Sequence, residues 1–150
     1  MKQDKLLHLI ADKITEITGN TYVVDYIPHR NISEQSTMVY RCVTPGSLTF
    51  DADIRSRYPQ LHQSVSVLIF AVPSPDKLTE NIIKYQNEIT DVLQEFVSRG
   101  KPISLTDGKY RATVIAGESD VPFDSGVALS GLADDPPVCI ASITLTFLLA

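Results

Sequence analysis

The sequence predicts a single α+β domain of two layers, in which two main helices pack on a mixed or antiparallel sheet of about four to five strands. The chain has 150 residues, of which 43% are apolar and 21% are charged, and this is the size and composition of one globular domain. Two segments repeat apolar residues at helical spacing, and runs with strand character lie between and after them. We therefore assign residues 1–150 to one domain.

The first helix is predicted over residues 4–18. Its apolar residues recur at spacings of three and four, which places them in one stripe along a helix. The stripe consists of Leu7, Ile10, Ile14 and Ile17. Gly19 follows directly, and glycine is the usual residue at the left-handed position that ends a helix.

Three strands and an arm are predicted next. Residues 21–26 are β-branched and aromatic, and residues 37–43 and 61–72 alternate between apolar and polar types. The segment between the last two strands, residues 44–60, is too long for a tight turn and contains Pro45 and Pro59. It predicts a hairpin with a protruding loop or arm, and such an arm usually has a partner.

The second helix is predicted over residues 75–99, where the apolar spacing alternates between four and three for about six turns. Ser74, Pro75 and Asp76 supply a cap, a proline at the first helical position and an acid near the positive end of the helix. Gly100 and Pro102 follow its end. We expect this helix to pack on the sheet.

The last part of the chain predicts two strands separated by a long polar loop. The strands cover residues 109–116 and 138–149, and the loop of residues 117–137 protrudes in this interpretation. One face of the final strand carries Cys139, Ala141, Ile143, Leu145, Phe147 and Leu149. Because this strand stays apolar to its end, we expect a sheet or a neighbouring subunit to cover it.

Charge and cysteine content exclude several classes of protein. The formal net charge is −5, and residues 111–150 hold five acids against the single base Arg111, so no basic stripe is available to grip a nucleic acid backbone. Cys42 and Cys139 lie in separate apolar runs and are expected to be buried thiols. Neither a signal peptide nor a membrane span is predicted.

Several short motifs suggest chemistry but fit a structural interpretation better. The triplet of Asp124, Ser125 and Gly126 is similar to a protease nucleophile motif, but Asp-Ser-Gly is also a common turn. Gly100-Lys101 and Gly108-Lys109 lack the upstream glycine of a phosphate-binding loop.

Isolated acids and histidines also favour a structural interpretation. The spacing of the late acids matches no calcium loop, and the histidines share no motif. These residues are Asp120, Asp124, Asp134 and Asp135, and His8, His29 and His62. The sequence therefore predicts no catalytic residue, no metal ligand and no cofactor.

The order of these elements resembles the tail terminator, or tail completion, proteins of long-tailed bacteriophages. The similarity is strongest over residues 61–73 and 78–97, a strand followed by a long helix. It extends over about two thirds of the chain and includes the first helix and the final strand.

This resemblance implies a structural role without an active site or cofactor. Subunits of that family close into a hexameric ring on the last ring of the tail tube, stop tube growth and present a surface to the head–tail connector protein. The resemblance thus implies assembly in the host cytoplasm, a place in the virion, and DNA that passes through the lumen without specific binding. Six copies at −5 each would carry about −30 and repel DNA, so we expect some late acids to face the lumen.

The expected contacts between subunits lie in the arm of residues 45–60 and in the terminal strand. The arm offers complementary charges, and the strand offers apolar side chains. The candidate interface residues are Asp51, Asp53, Arg55, Arg57, Phe147 and Leu149.

Two other functions remain open from the sequence. One is a different joining protein of the virion, such as a head–tail joining or head completion subunit. The other is a small enzyme or ligand-binding module that uses residues 117–137 as a lid over the sheet. Composition does not separate the first from a tail terminator, and no residue requires the second.

Overall fold

A computed structural model describes residues 1–28, 39–51, 60–71, 78–97, 103–108, 110–119 and 138–149. These residues form two helices and six strands. In chain order they are α1 (Gln3–Thr18), β1 (Val23–Val24), β2 (Val39–Asp51), β3 (Gln60–Ala71), α2 (Leu78–Phe96), β4 (Ser104–Thr106), β5 (Arg111–Ser119) and β6 (Val138–Leu149). The α+β class with two helices agrees with the sequence prediction.

The six strands form one mixed sheet in the order β1-β2-β3-β6-β5-β4. β1 is parallel to β2, and every other neighbouring pair is antiparallel. The predicted number of four to five strands was too low. The strand that was missed is β4, whose three residues are too few to show an alternating pattern.

Both helices pack on one face of this sheet and share a single core with it. The buried stripe of α1 includes Leu7, Ile10 and Ile14, as the spacing predicts. From α2, Ile89, Val92 and Phe96 are fully buried. α1 ends at Gly19, whose φ of 74° is left-handed and whose N–H donates to the Thr15 carbonyl at 2.9 Å.

The final strand, β6, has the bounds that the sequence predicts and lies in the interior of the sheet. β3 pairs with one of its edges and β5 with the other. The expected cover is therefore supplied by strands of the same chain. The register shifts between Ile69 and Phe70 of β3, so Cys139 faces away from the helices, whereas Ile140 and Ala141 are both buried in the core. The prediction that Cys139 shares a face with Ala141 was wrong because of this shift.

The segment of residues 44–60 contains more regular structure than the sequence predicts. β2 continues through Pro45 to Asp51, and β3 begins at Gln60, so the two strands stay paired toward the tip of the hairpin. Residues 52–59 lie outside the described part. The same holds for residues 120–137, most of the predicted loop, while residues 117–119 belong to β5.

Candidate protein interface

The outer part of the β2–β3 hairpin is the most exposed region of the described sheet. From here on, the name arm refers to residues 46–51 and 60–63, the described outer part of this hairpin. Every described side chain of β2 from residue 46 to residue 50 is exposed, whereas Val43, just before the arm, is fully buried. The change from buried to exposed within three residues marks the place where the hairpin leaves the core.

A bulge at the base of the arm fixes this departure. The register between β2 and β3 shifts after Pro45, where Gly46 and Ser47 are inserted opposite Ser64. The Ser64 hydroxyl accepts the Ser47 N–H at 2.8 Å. A Cβ on Gly46 would lie 2.4 Å from Ser64 Oγ and 3.1 Å from the Ser64 carbonyl oxygen, so glycine permits the close approach.

The amide side chain of Gln63 connects the bulge to the first helix. Gln63 is buried, and its Oε1 accepts a hydrogen bond from Gln3 Nε2 of α1 at 2.7 Å. Its Nε2 donates to the Ser64 carbonyl at 2.7 Å and lies 3.4 Å from the carbonyl oxygens of Gly46 and Ser47. A buried amide with these partners holds the arm in a fixed direction relative to α1.

The arm carries large apolar side chains in contact with solvent. Leu48 is 49% exposed and Phe50 is 57% exposed. Phe50 pairs with Leu61, and Leu61 pairs with Leu149 of β6, so these three side chains form a row on the helix-facing side of the sheet. We call Leu48, Phe50, Leu61 and Leu149 the apolar patch. Contiguous exposed apolar surface of this kind is typical of a contact site for another protein.

Of the six interface residues predicted from the sequence, the three that the structure describes lie in three different environments. Asp51 is the last residue of β2, at the outer end of the arm, and Asp53, Arg55 and Arg57 lie outside the described residues. Leu149 is half-buried at the edge of the core and belongs to the apolar patch.

The sixth residue, Phe147, is fully buried in the core. Its ring packs against that of Phe96 in an edge-to-face arrangement with 6.2 Å between centroids. Its side chain therefore does not reach the surface of the single chain.

Leu48 and Phe50 were not among the interface residues predicted from the sequence. A signal for them existed, because residues 47–51 alternate between polar and apolar types as a half-exposed strand does. The neighbouring proline and glycine concealed this signal, since both are more common in turns than in strands.

A polar network holds the end of the sheet opposite the arm. The carboxylate of Glu88 on α2 accepts two hydrogen bonds from Arg41 of β2, at 2.7 and 2.9 Å. It also accepts Asn20 Nδ2 at 2.8 Å and the hydroxyl of Tyr22. The Arg41 guanidinium lies 5.5 Å from the centroid of the Tyr85 ring. This network connects α2 to β2 and to the residues that follow α1. Its donors supply hydrogen bonds to both oxygens of the Glu88 carboxylate.

The two cysteines lie on the sheet face away from the helices, where Cys42 is buried and Cys139 is half-buried. Burial, together with the charge of Asp25, raises the pKa of Cys42 from 9.0 to about 12. Burial also raises the pKa of Tyr40, whose hydroxyl donates to the Asp25 carboxylate. At neutral pH the Cys42 thiol is therefore protonated, which makes it a poor nucleophile and a poor metal ligand.

Three tyrosines, Tyr22, Tyr26 and Tyr40, lie in or beside the first two strands. In the structure Tyr22 is buried and Tyr40 is half-buried, and each donates its hydroxyl to a carboxylate, whereas Tyr26 is exposed. The long-range partners Glu88 and Asp25 give no local signal in the sequence.

Within the described ranges, no group of three or more histidine, cysteine, aspartate and glutamate residues is placed to hold a metal ion. No described helix has the length and apolar character needed to cross a membrane. No family model and no curated protein matches the chain.

Proposed function

We propose that this chain is a structural protein of a bacteriophage virion, a tail terminator whose copies close into a hexameric ring on the end of the tail tube. The observation that carries the proposal is the arm, which holds Leu48 and Phe50 in solvent on a hairpin whose base is fixed by a bulge and by the Gln63 side chain. The order of helices and strands supports the same assignment. In this role the ring ends tube growth and offers its free surface to the head–tail connector.

The energetics of the arm favour assembly with other copies over a solitary chain. Full burial of a leucine or phenylalanine side chain contributes about 1.5 to 3 kcal/mol, so covering the exposed halves of Leu48 and Phe50 contributes about 1 kcal/mol each. A closed ring repeats this contribution at every junction and leaves no end uncovered. The exposed apolar side chains of the arm therefore favour the ring, in which every copy has its arm covered.

The rigidity of the arm supports the same function. The bulge and the Gln63 side chain order the hairpin before any partner arrives. Association then loses less conformational entropy than it would if a mobile segment had to be fixed. The arm is thus suited to act as a preformed contact surface.

Electron microscopy of the purified chain with tail tubes that lack a terminator tests this function. We expect rings at one end of the tubes, and we expect a variant with both Leu48→Ser and Phe50→Ser to leave the tube ends bare. Ile83→Ser is the matched control, because Ile83 is 43% exposed on α2, away from the arm.

Two results would contradict the proposed function. Bare tube ends with the native chain would exclude a tail terminator, and rings found only on the portal side would assign the chain to head–tail joining or head completion. Rings formed by the Leu48→Ser and Phe50→Ser variant as readily as by Ile83→Ser would exclude the arm as the contact.

A further inference from the structure

The arm has an outer edge on which no described strand lies. β1 pairs with β2 only at Cys42 and Val43, and the Val43 carbonyl accepts the Asp25 N–H at 3.0 Å. The next N–H in line, that of Ile27, donates to the Asp25 carboxylate at 3.0 Å and so does not continue the pairing along β2. Among the described residues, the β2 edge is therefore unpaired from the bulge to the end of the arm.

The backbone N–H and C=O groups of Phe50 point to this open edge. Opposite residues of an antiparallel pair either face each other or face away from each other. Val43 faces β1, so its partner Val67 on β3 faces β6, and by alternation along β3 Leu61 faces β6 as well. Leu61 is the partner of Phe50, and the backbone groups of Phe50 therefore face outward.

β4 is the last strand at the other side of the sheet, and no described strand lies beyond it. The Ile103 carbonyl accepts the Val114 N–H of β5 at 3.2 Å, so residue 103 faces β5. By alternation Leu105 also faces β5, whereas the backbone groups of Ser104 and Thr106 face outward. Both sides of the described sheet therefore end in an edge that is available to another strand.

The two edges agree in direction and in register. The four neighbouring pairs from β2 through β3, β6 and β5 to β4 are all antiparallel, so β4 runs parallel to β2. One row of paired residues crosses these strands, and it consists of Phe50, Leu61, Leu149, Ala112 and Leu105. A second copy placed beside the arm in the same orientation would therefore set its Leu105 level with Phe50.

The hydrogen-bonding groups on the two edges also match. In a parallel pair, a residue that faces the neighbouring strand bonds to the residues before and after the one level with it. Phe50 faces outward and Leu105 faces its own β5, so this condition is met. The Phe50 N–H can donate to the Ser104 carbonyl of the next copy, and the Thr106 N–H of the next copy can donate to the Phe50 carbonyl.

The side chains at these edges are compatible with burial. Residues 47–50 and 104–106 contain no charged side chain, so the contact removes no ionised group from water. Phe50 is 57% exposed on the helix-facing side of the sheet, where Leu105 also lies. The Leu105 of the next copy would extend the apolar row past Phe50 and cover part of its ring.

We propose that the outer edge of the arm in one copy pairs in parallel with β4 of the next copy, and this inference rests on the proposed ring. The partner is a second copy, because this chain itself holds an edge of the required direction, register and hydrogen-bonding pattern. Each copy offers its arm to one neighbour and β4 to the other, so the contact is heterologous and closes when the rotation completes a ring. It also covers two strand edges that otherwise invite aggregation.

Disulfide trapping in rings tests the pairing. Thr49 and Ser104 are exposed, and the register places them level with each other. They lie on the sheet face away from the helices, because each is adjacent in the chain to a residue of the helix-facing side. Chains with Thr49→Cys and chains with Ser104→Cys are co-expressed, bound to tail tubes and oxidised. We expect a disulfide-linked dimer from this pair and none from either variant alone or from the native chain.

Thr49→Cys co-expressed with Thr113→Cys is the matched control. Thr113 lies at the same level as Ser104 but on β5, one strand further from the arm. Two strand spacings separate it from Thr49 of the neighbouring copy by about 10 Å, which exceeds the limit of about 7 Å between the Cα atoms of a disulfide. We expect no disulfide from this pair, and one formed as readily as with Ser104→Cys would contradict the contact with β4.

Thr106→Pro provides a second measurement that needs no oxidation. The change removes the N–H that donates to Phe50 of the neighbouring copy, at an open edge where the single chain tolerates proline. We expect ring formation to weaken at least about fivefold at each contact. Thr106→Ala is the matched control, because it loses the same hydroxyl, which accepts the Gly108 N–H at 3.1 Å, and keeps the backbone N–H. Equal urea midpoints would show that both variants fold.

The outcomes separate this inference from the proposed function. Rings without the mixed disulfide, or equal ring formation by Thr106→Pro and Thr106→Ala, would overturn the edge pairing and leave the ring function standing. Absence of rings from the native chain, even with tail tubes, would overturn both.

Discussion

The carboxylate of Glu88 accepts hydrogen bonds from three residues in different parts of the chain. Arg41, Tyr22 and Asn20 all donate to it, and both members of the ion pair are mostly buried. Removing one partner of a buried pair leaves the other without compensation, which costs more than the pair itself contributes. The stability of this end of the sheet therefore depends on one side chain of α2.

We expect Glu88→Ala to lower the free energy of unfolding by about 3 kcal/mol, since three donors lose their acceptor. Arg41→Ala should cost less, because Tyr22 and Asn20 still donate to the carboxylate. Glu95→Ala is the control on the same helix, where Glu95 is exposed, and it should change stability by less than about 0.5 kcal/mol. Urea unfolding measures all three, and equal effects of Glu88→Ala and Glu95→Ala would refute the network.

The raised pKa values predict a loss of stability in alkali. The unfolded Cys42 thiol ionises near pH 9 and the folded thiol near pH 12. Between these values the unfolded chain has lost a proton that the folded chain retains, so stability is full below about pH 9 and falls by about 1.4 kcal/mol per pH unit above it. Burial raises the pKa of Tyr22 and Tyr40 as well, and they add to the fall above pH 10.

Urea midpoints between pH 7 and pH 11 measure this loss. Cys42→Val should make the decline shallower from pH 9 upward, because it removes the thiol that remains protonated in the fold. A decline of unchanged slope in Cys42→Val would show that the thiol is not the source.

Among the helices and strands, those with a long periodic pattern were predicted more accurately from the sequence than the short ones. α1 and β6 show apolar spacing over many residues, and the structure gives them almost the predicted bounds. β1 is two residues long where six were predicted, and β4 was missed, because such short strands depend on their neighbours in the sheet. The bulge after Pro45 was also missed, since its partners are Ser64 and Gln63 on another strand.

Ser64→Ala tests whether the bulge fixes the arm. The change removes the acceptor of the Ser47 N–H, so we expect opening of the arm to become easier by about 1 kcal/mol. Hydrogen exchange at the amides of Thr49 and His62, which pair across the hairpin, should become faster, while exchange at Val67 stays the same. Ser66→Ala is the matched control, two residues away on the same face of β3 and outside the bulge, and it should leave the arm unchanged.

The experiment would contradict the role of the bulge in either of two ways. In the first, the amides of Thr49 and His62 exchange at the same rate in Ser64→Ala as in the native chain. In the second, Ser66→Ala accelerates their exchange as strongly as Ser64→Ala does.

For the whole molecule, the surface expected to contact other copies differs between the sequence prediction and the structure. The sequence suggested the apolar terminal strand as one reason for association, but β6 is flanked by β3 and β5 and faces α2. Exposed apolar side chains instead include Leu48 and Phe50 of the arm. We therefore expect contacts between copies to involve the arm, whereas most of β6 lies within the sheet of the single chain.

The net charge predicts that the assembled ring does not retain DNA. Each copy carries −5, and like charges repel over a Debye length of about 10 Å at 0.1 M salt. We expect no retardation of duplex DNA in a gel by the purified ring at that salt concentration. Retardation that weakens as salt is added would show a basic binding surface and contradict the expectation that the lumen lets DNA pass.

Sedimentation velocity of the full chain, alone and with tail tubes, tests the central claim that copies of this chain complete one another. We expect a species near six times the mass of the 16.5 kDa chain, either alone or bound at the tube ends, and we expect its loss in the variant with both Leu48→Ser and Phe50→Ser. A native chain that sediments as a 16.5 kDa monomer at every concentration, and that stays free when tail tubes are present, would contradict it.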